Sequence, residues 1–166
     1  LTTRKYVDSS FVDISKLKTS SVLSWCAVGP MYFIGAPSDI ISVGYKFGEN
    51  IGIGFQLIND VLDFKKSSDK DLHLDLKNNQ LTSVTYHYLK TNGLLEKFIS
   101  GEKLTDLVDL ANINLSVEHV KKDALNYLKI SDKYLTEILG FLKLSRVNPS
   151  FMAISFLVNQ LRERVK

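Results

Sequence analysis

A chain of 166 residues, 45% hydrophobic and 23% charged, has the balance of one globular domain able to bury a core, which excludes a fibrous or disordered polymer. Its net charge of +3 comes from 21 basic and 18 acidic residues intermixed along the chain, with no basic block or RNA-type aromatic motif, so nucleic acid is a poor partner. The single cysteine, Cys26, excludes an internal disulfide framework and suits a reducing, intracellular compartment.

Apolar residues recur at helical spacing and strand-like alternation is almost absent, so the fold class is all-α over one domain, residues 1–166. No signal or transit peptide is visible, and the start at Leu1 leaves room for a preceding segment. A first helix is predicted over Ile14 to Gly35, with a kink near Pro30, which cannot donate the internal hydrogen bond. Thr19 to Ser38 carries no formal charge and has about the length of a membrane span. Its serines, Gly29, Pro30 and Pro37 fit a buried helix better than a transmembrane segment.

From Ser38 to about Phe64 the pattern reads as one helix, about 40 Å long at the helical rise. Gly44, Gly48 and Gly52 fall on one of its faces, and each costs helix stability of about 1 kcal/mol relative to Ala, so a neighbouring helix or a substrate should come close there. Asp75 to Thr91 is predicted helical, followed by shorter pieces from Leu94 to Ile99 and Lys103 to Leu110. Ser116 is a candidate N-cap for a long helix whose buried stripe is Val117, Val120, Ala124, Leu128, Leu135, Ile138, Leu139 and Leu142. Asn148 and Pro149 signal the start of a last helix, with Phe151, Ile154, Val158, Leu161 and Val165 facing inward. His73, His87 and His119 lack ligand spacing and read as ordinary surface or half-buried residues.

The chemistry concentrates at the end of the glycine-bearing helix, in FQLINDVLDF. Residues three and four apart share a helix face, so Gln56, Asn59, Asp60 and Asp63 project together. Carboxylates among apolar neighbours need a positive partner, either a lysine or arginine or a metal ion. Magnesium takes oxygen ligands and uses one or two protein carboxylates, with substrate phosphates and water filling the rest, which points to diphosphate chemistry. The bland alternative is a helix terminus whose acids face solvent and pair with Lys65, Lys66 or Lys70.

The run GENIGIGFQLINDVLDF resembles the second aspartate-rich region of the trans-isoprenyl (polyprenyl) diphosphate synthases, usually G-x-x-x-G-x-x-F-Q-x-x-D-D-x-x-D. Gly48, Gly52, Phe55, Gln56, Asp60 and Asp63 fall on the pattern in register. Upstream, Lys18 and Thr19 match the family's Lys-Thr pair, and downstream DLKNNQLTSVTYHYL, from Asp75, is similar to its D-L-x-x-G-K-x-T-L-P segment. RERVK, Arg162 to Lys166, is similar to the family's basic C-terminus.

The resemblance implies a helical bundle of the isoprenoid synthase type, here its C-terminal half, and a transferase of isoprenoid biosynthesis. Such an enzyme condenses an allylic diphosphate with isopentenyl diphosphate, with Mg2+ assisting diphosphate departure. It also implies a homo- or hetero-dimer with another prenyl synthase chain, in the cytoplasm or an organelle such as a mitochondrion or plastid. Carried over by position, Asp60 and Asp63 would bind magnesium, with Asn59 in the place of the motif's first aspartate. Lys18 would contact the allylic diphosphate, Thr19 and Gln56 would lie near the ionising carbon, Phe55 would form an apolar wall, and Lys70 would be the lysine after the motif.

Several positions depart from the family pattern. Asn59 removes one negative charge; Asp69, Lys70 and Asp71 stand where Gly-Lys-Pro is usual; Asn79 and Gln80 replace Gly-Lys; Ser83 and Val84 replace Leu-Pro. No Asp-Asp pair occurs anywhere, so the family's first aspartate-rich motif is not in this sequence. Either the family's N-terminal half lies outside this chain or the protein is a partner subunit; Asn59, Asp69 and Gln80 favour the latter alternative, a non-catalytic subunit of a heteromeric polyprenyl diphosphate synthase. A class I terpene cyclase fits less well, because Asp63 and Ser67 occupy its Ser and Glu ligand positions. A purely structural helical domain predicts no magnesium-dependent binding of diphosphates.

Overall fold

The computed structural model describes residues 19–65, 73–143 and 149–165, and among them every regular element is a helix. In chain order these are α1 (Ser21–Phe33), α2 (Ser38–Leu62), α3 (Leu74–Lys77), α4 (Ser83–Thr91), α5 (Leu95–Ser100), α6 (Leu104–Leu107), α7 (Asn114–Phe141) and α8 (Pro149–Glu163). Lys18, Lys66, Asp69, Lys70, Asp71, Asn148 and Lys166, and the side chain of Phe151, lie outside the described residues.

The central element is α2, packed against α1 on one side and α7 on the other. Its glycines explain the closeness of the first contact. A β-carbon at Gly48 would strike the backbone of Leu23 and Ser24, and one at Gly52 would strike Ser20. The glycine face therefore receives a neighbouring helix. Gly54, on another face, admits Leu128 and the Ala124 carbonyl of α7. Ile53, Leu57, Ile58 and Val61 then join Val84 and Leu89 of α4, Ala124 and Leu128 of α7, and Val158 of α8 in one buried cluster. A second cluster, with Met31, Phe47, Leu135 and Ile138, continues toward the other end of α2.

The predicted helix from Asp75 to Thr91 is broken into α3 and α4. Asn79 takes a left-handed conformation at φ 55°, which short polar side chains tolerate, and this ends α3. Thr82 then restarts the chain: its side chain accepts from the Thr85 N–H while Thr85 Oγ1 accepts from the Thr82 N–H, a reciprocal cap. The stretch from Lys103 gives only Leu104–Leu107, because Val108 is extended.

At the start of α7 the helix begins with Asn114, so Ser116 is not its cap; it is buried inside the first turn. Leu142 lies past the end of the helix and is exposed, and Ile154 is also exposed, whereas the rest of the predicted α7 stripe, with Val158 and Val165, is buried. Helix α1 runs three residues beyond Pro30. No helix among the described residues is long and apolar enough to cross a membrane.

Candidate active site

The close approach of α1 to α2 sets the first contact of the site. With Ser20 against Gly52, Thr19 stands opposite Gln56 one turn further along α2, and its hydroxyl lies 3.1 Å from Gln56 Oε1. Gln56 Nε2 donates in turn to Asp60 Oδ1 at 2.9 Å. The other carboxylate oxygen, Asp60 Oδ2, accepts from both the backbone N–H of Ser83 at 2.8 Å and its hydroxyl at 2.7 Å. Four residues from three segments thus form one hydrogen-bond chain.

Asp60 is 3% exposed, and burial pushes its carboxyl above the usual carboxylate range, against the opposing pull of the Ser83 and Gln56 hydrogen bonds. It does not pair with a cation among the described residues, which leave out Lys66 and Lys70. The acid instead faces the interior and ties the start of α4 to α2.

Asp63 behaves differently. Its Oδ1 accepts from the backbone N–H of Leu74 at 3.1 Å, and the chain closes back at His73, whose N–H donates to the Asp63 carbonyl at 3.2 Å. Among the described residues Asp63 Oδ2 and His73 Nδ1 are buried without a hydrogen-bond partner, and the His73 ring packs 5.2 Å from that of Phe64. Burial and the charge of Asp75 both raise the Asp63 carboxyl. A buried, unpartnered carboxylate oxygen is costly unless a cation meets it. Asn59, half-buried, is one turn before Asp63 on the same helix. No cluster of three His, Cys, Asp or Glu side chains able to hold a metal occurs among the described residues.

Next to this polar end lies a cavity of about 730 Å³ between α1, α2 and α8. Val22, Leu23, Ile51, Phe55, Leu157 and Leu161 make its walls apolar; Thr19, Gln160 and Arg164 are its polar members. Phe55 is therefore where a wall residue should be, and Thr19 belongs to both the cavity and the hydrogen-bond chain. Arg162, from the basic C-terminal run, is spent on structure: it bonds to Asp132 and donates to the Leu128 carbonyl at 2.9 Å, clamping α8 onto α7.

Of the residues singled out from the sequence, Thr19, Phe55, Gln56, Asn59, Asp60 and Asp63 come together at one end of α2, while Lys18 and Lys70 fall outside the described residues. Ser83 and His73 were not anticipated, and Arg164 was included only within the basic run RERVK. Ser83 carried one signal, a polar residue where the family pattern has leucine. The Asn79 substitution also gains an explanation, since asparagine keeps the left-handed turn that glycine would otherwise supply, and its Oδ1 accepts from Leu104 N at 2.7 Å.

The polyprenyl synthetase family model matches residues 2–113, which include all of these positions except Arg164. A prenyl transferase of Cyanidium caldarium is 30% identical over 141 residues, 75% of this chain and 42% of that relative. The chloroplastic solanesyl diphosphate synthase 1 of Arabidopsis thaliana is 31% identical over 88 residues, 51% of this chain and 22% of its own. The decaprenyl-diphosphate synthase of Dictyostelium discoideum is 25% identical over 146 residues, 78% and 32% respectively. This chain belongs to the polyprenyl synthetase family, and its helical architecture is that of the all-α isoprenoid synthases. It spans less than half the length of these curated relatives.

Proposed function

We propose that the chain serves a prenyltransferase that condenses an allylic diphosphate with isopentenyl diphosphate, and that it supplies one wall of the reaction cavity. The observation that carries this is the continuity from an apolar cavity, through Thr19 and Gln56, to a polar helix end with an unpartnered carboxylate oxygen. An allylic diphosphate has the matching halves, an apolar tail and an anionic head.

The head would lie toward Asn59, Asp60 and Asp63, with Lys18 and Lys70 as its cationic contacts. Asp63 Oδ2 fits a divalent cation, and magnesium would supply charge neutralisation for the departing diphosphate. The tail would lie along Phe55 and the leucines of α1 and α8, which offer it an apolar surface. The opposite wall would come from a further part of the same protein or from another prenyl synthase chain, identical or different.

The second reading, a non-catalytic subunit, is favoured by Asn59, which removes a charge where the motif has an aspartate. Chain elongation from an allylic diphosphate and isopentenyl diphosphate, measured on the full-length protein, separates the two. Unaided turnover eliminates the subunit; turnover only after a second prenyl synthase chain is added supports it. Absence of magnesium-dependent diphosphate binding in calorimetry rejects both.

A further inference from the structure

We propose that the stacked rings of His87 and His119 form a pH-sensitive latch between α4 and α7, which keeps Ser83 on Asp60 while the rings share at most one proton and loosens that grip when both are charged. The latch stands on its own contacts and is independent of the reaction proposed above.

Two short columns of side chains meet where α4 packs on α7. On α4, Ser83 and His87 are four residues apart and share a face. On α7, Ser116, His119 and Asp123 recur at intervals of three and four and share another. The imidazoles stack with 4.0 Å between centroids and 23° between planes. His87 Nδ1 lies 3.0 Å from Ser116 Oγ, and His119 Nε2 lies 3.4 Å from Asp123 Oδ2. A single proton on His119 therefore meets a carboxylate. A second proton, on His87, places two cations face to face. Burial is the largest influence that keeps His87 neutral, and the charge of His119 follows; Asp123 of α7 favours a proton there and Lys90 of its own helix opposes it, leaving the His87 pKa below the ordinary 6.5.

Protonation of the pair is thus coupled to separation of the rings. A ring released to water regains its ordinary affinity for the proton, so the closed latch is favoured above about pH 6.5, and the open one gains as the pH falls toward the closed-state value. The displacement has a defined receiver. One turn before His87, Ser83 gives Asp60 Oδ2 two hydrogen bonds, at 2.8 Å from its backbone N–H and 2.7 Å from its hydroxyl. Both donors belong to one residue, so a tilt of α4 weakens both together. Val84 and Leu89, fully buried in the common core, keep the helix docked and serve as the pivot.

Hydrogen exchange of the Ser83 amide, read against that of Ile58 inside α2 and corrected for intrinsic exchange rates, follows the grip on Asp60 directly. In the parent chain the protection of Ser83 relative to Ile58 should fall by roughly tenfold between about pH 8 and about pH 5. His87→Gln and His119→Gln each remove one ring and should each abolish the fall, and either variant alone decides. Imidazole titration by NMR should show the parent rings charging in two separate steps, with His87 charging at higher pH in His119→Gln. Asp60 is itself titratable, so a fall in Ser83 protection that persists in a histidine variant shown folded by circular dichroism belongs to the carboxylate and overturns the latch. So does a parent chain in which both rings charge while Ser83 stays protected.

Discussion

Gly52 lies against Ser20 so closely that a β-carbon at position 52 would overlap the serine backbone. This contact lets α1 approach α2 closely enough for Thr19 to reach Gln56. A helix-interior glycine is normally a cost, and here replacing it should be worse. Gly52→Ala should destabilise the protein by about 1–3 kcal/mol through overpacking, despite the better helix propensity of alanine. Urea denaturation measures this, and an unchanged or increased midpoint would show that α1 is free to move away.

The proposed metal-binding face of the helix yields a prediction of opposite sign. Asn59→Asp adds the formal charge that the family motif has and should tighten magnesium-dependent binding of a diphosphate by roughly tenfold. Asp63→Ala should weaken it. Calorimetry with and without magnesium reads both, and indifference to both changes would place the metal elsewhere.

Thr82 offers a test of the break between α3 and α4. It is 2% exposed and exchanges hydrogen bonds with Thr85 in both directions, so Thr82→Ala should cost about 1–2 kcal/mol by removing the cap. Because Ser83 follows it directly, loosening this turn should also free Asp60. A variant as stable as the parent in thermal melts would mean that tertiary packing alone holds α4.

His87 and His119 carry a pH dependence. Their rings stack at 4.0 Å, with His87 Nδ1 3.0 Å from Ser116 Oγ and His119 3.4 Å from Asp123. Burial, and then the charge of His119, lower the His87 pKa from the ordinary 6.5. The unfolded chain therefore binds this proton more readily, so the stability His87 contributes is full above about pH 6.5 and falls as the pH drops toward its folded value. Urea midpoints should decrease below neutrality, and His87→Asn should flatten that part of the profile. An identical slope in the variant would assign it to other groups.

Much of the fold was legible along the chain because helical periodicity is local. The bounds of α2, the inward stripe of α7 and the Pro149 start of α8 follow from spacing and from the backbone limits of proline. The joint placement of Gln56, Asn59, Asp60 and Asp63 on one face needs no more than 3.6 residues per turn. What the sequence left open was the purpose of the glycines at 48 and 52, whose contacts with Ser24 and Ser20 join separate elements.

The start of α7 was misread for a related reason. Ser116 has the chemistry of a cap, but its hydroxyl is taken by His87, which comes from α4.

The sequence by itself determined an all-helical chain with a carboxylate-bearing helix end in the register of the polyprenyl synthetases. Only the tertiary structure decided how fully each carboxylate is engaged. Ser83 reaches Asp60 from 23 residues away and satisfies it, while the turn through His73 and Leu74 meets only one oxygen of Asp63. Two aspartates three residues apart are equivalent by periodicity. They differ once donors from distant segments fill one and, among the described residues, leave an oxygen of the other without a partner.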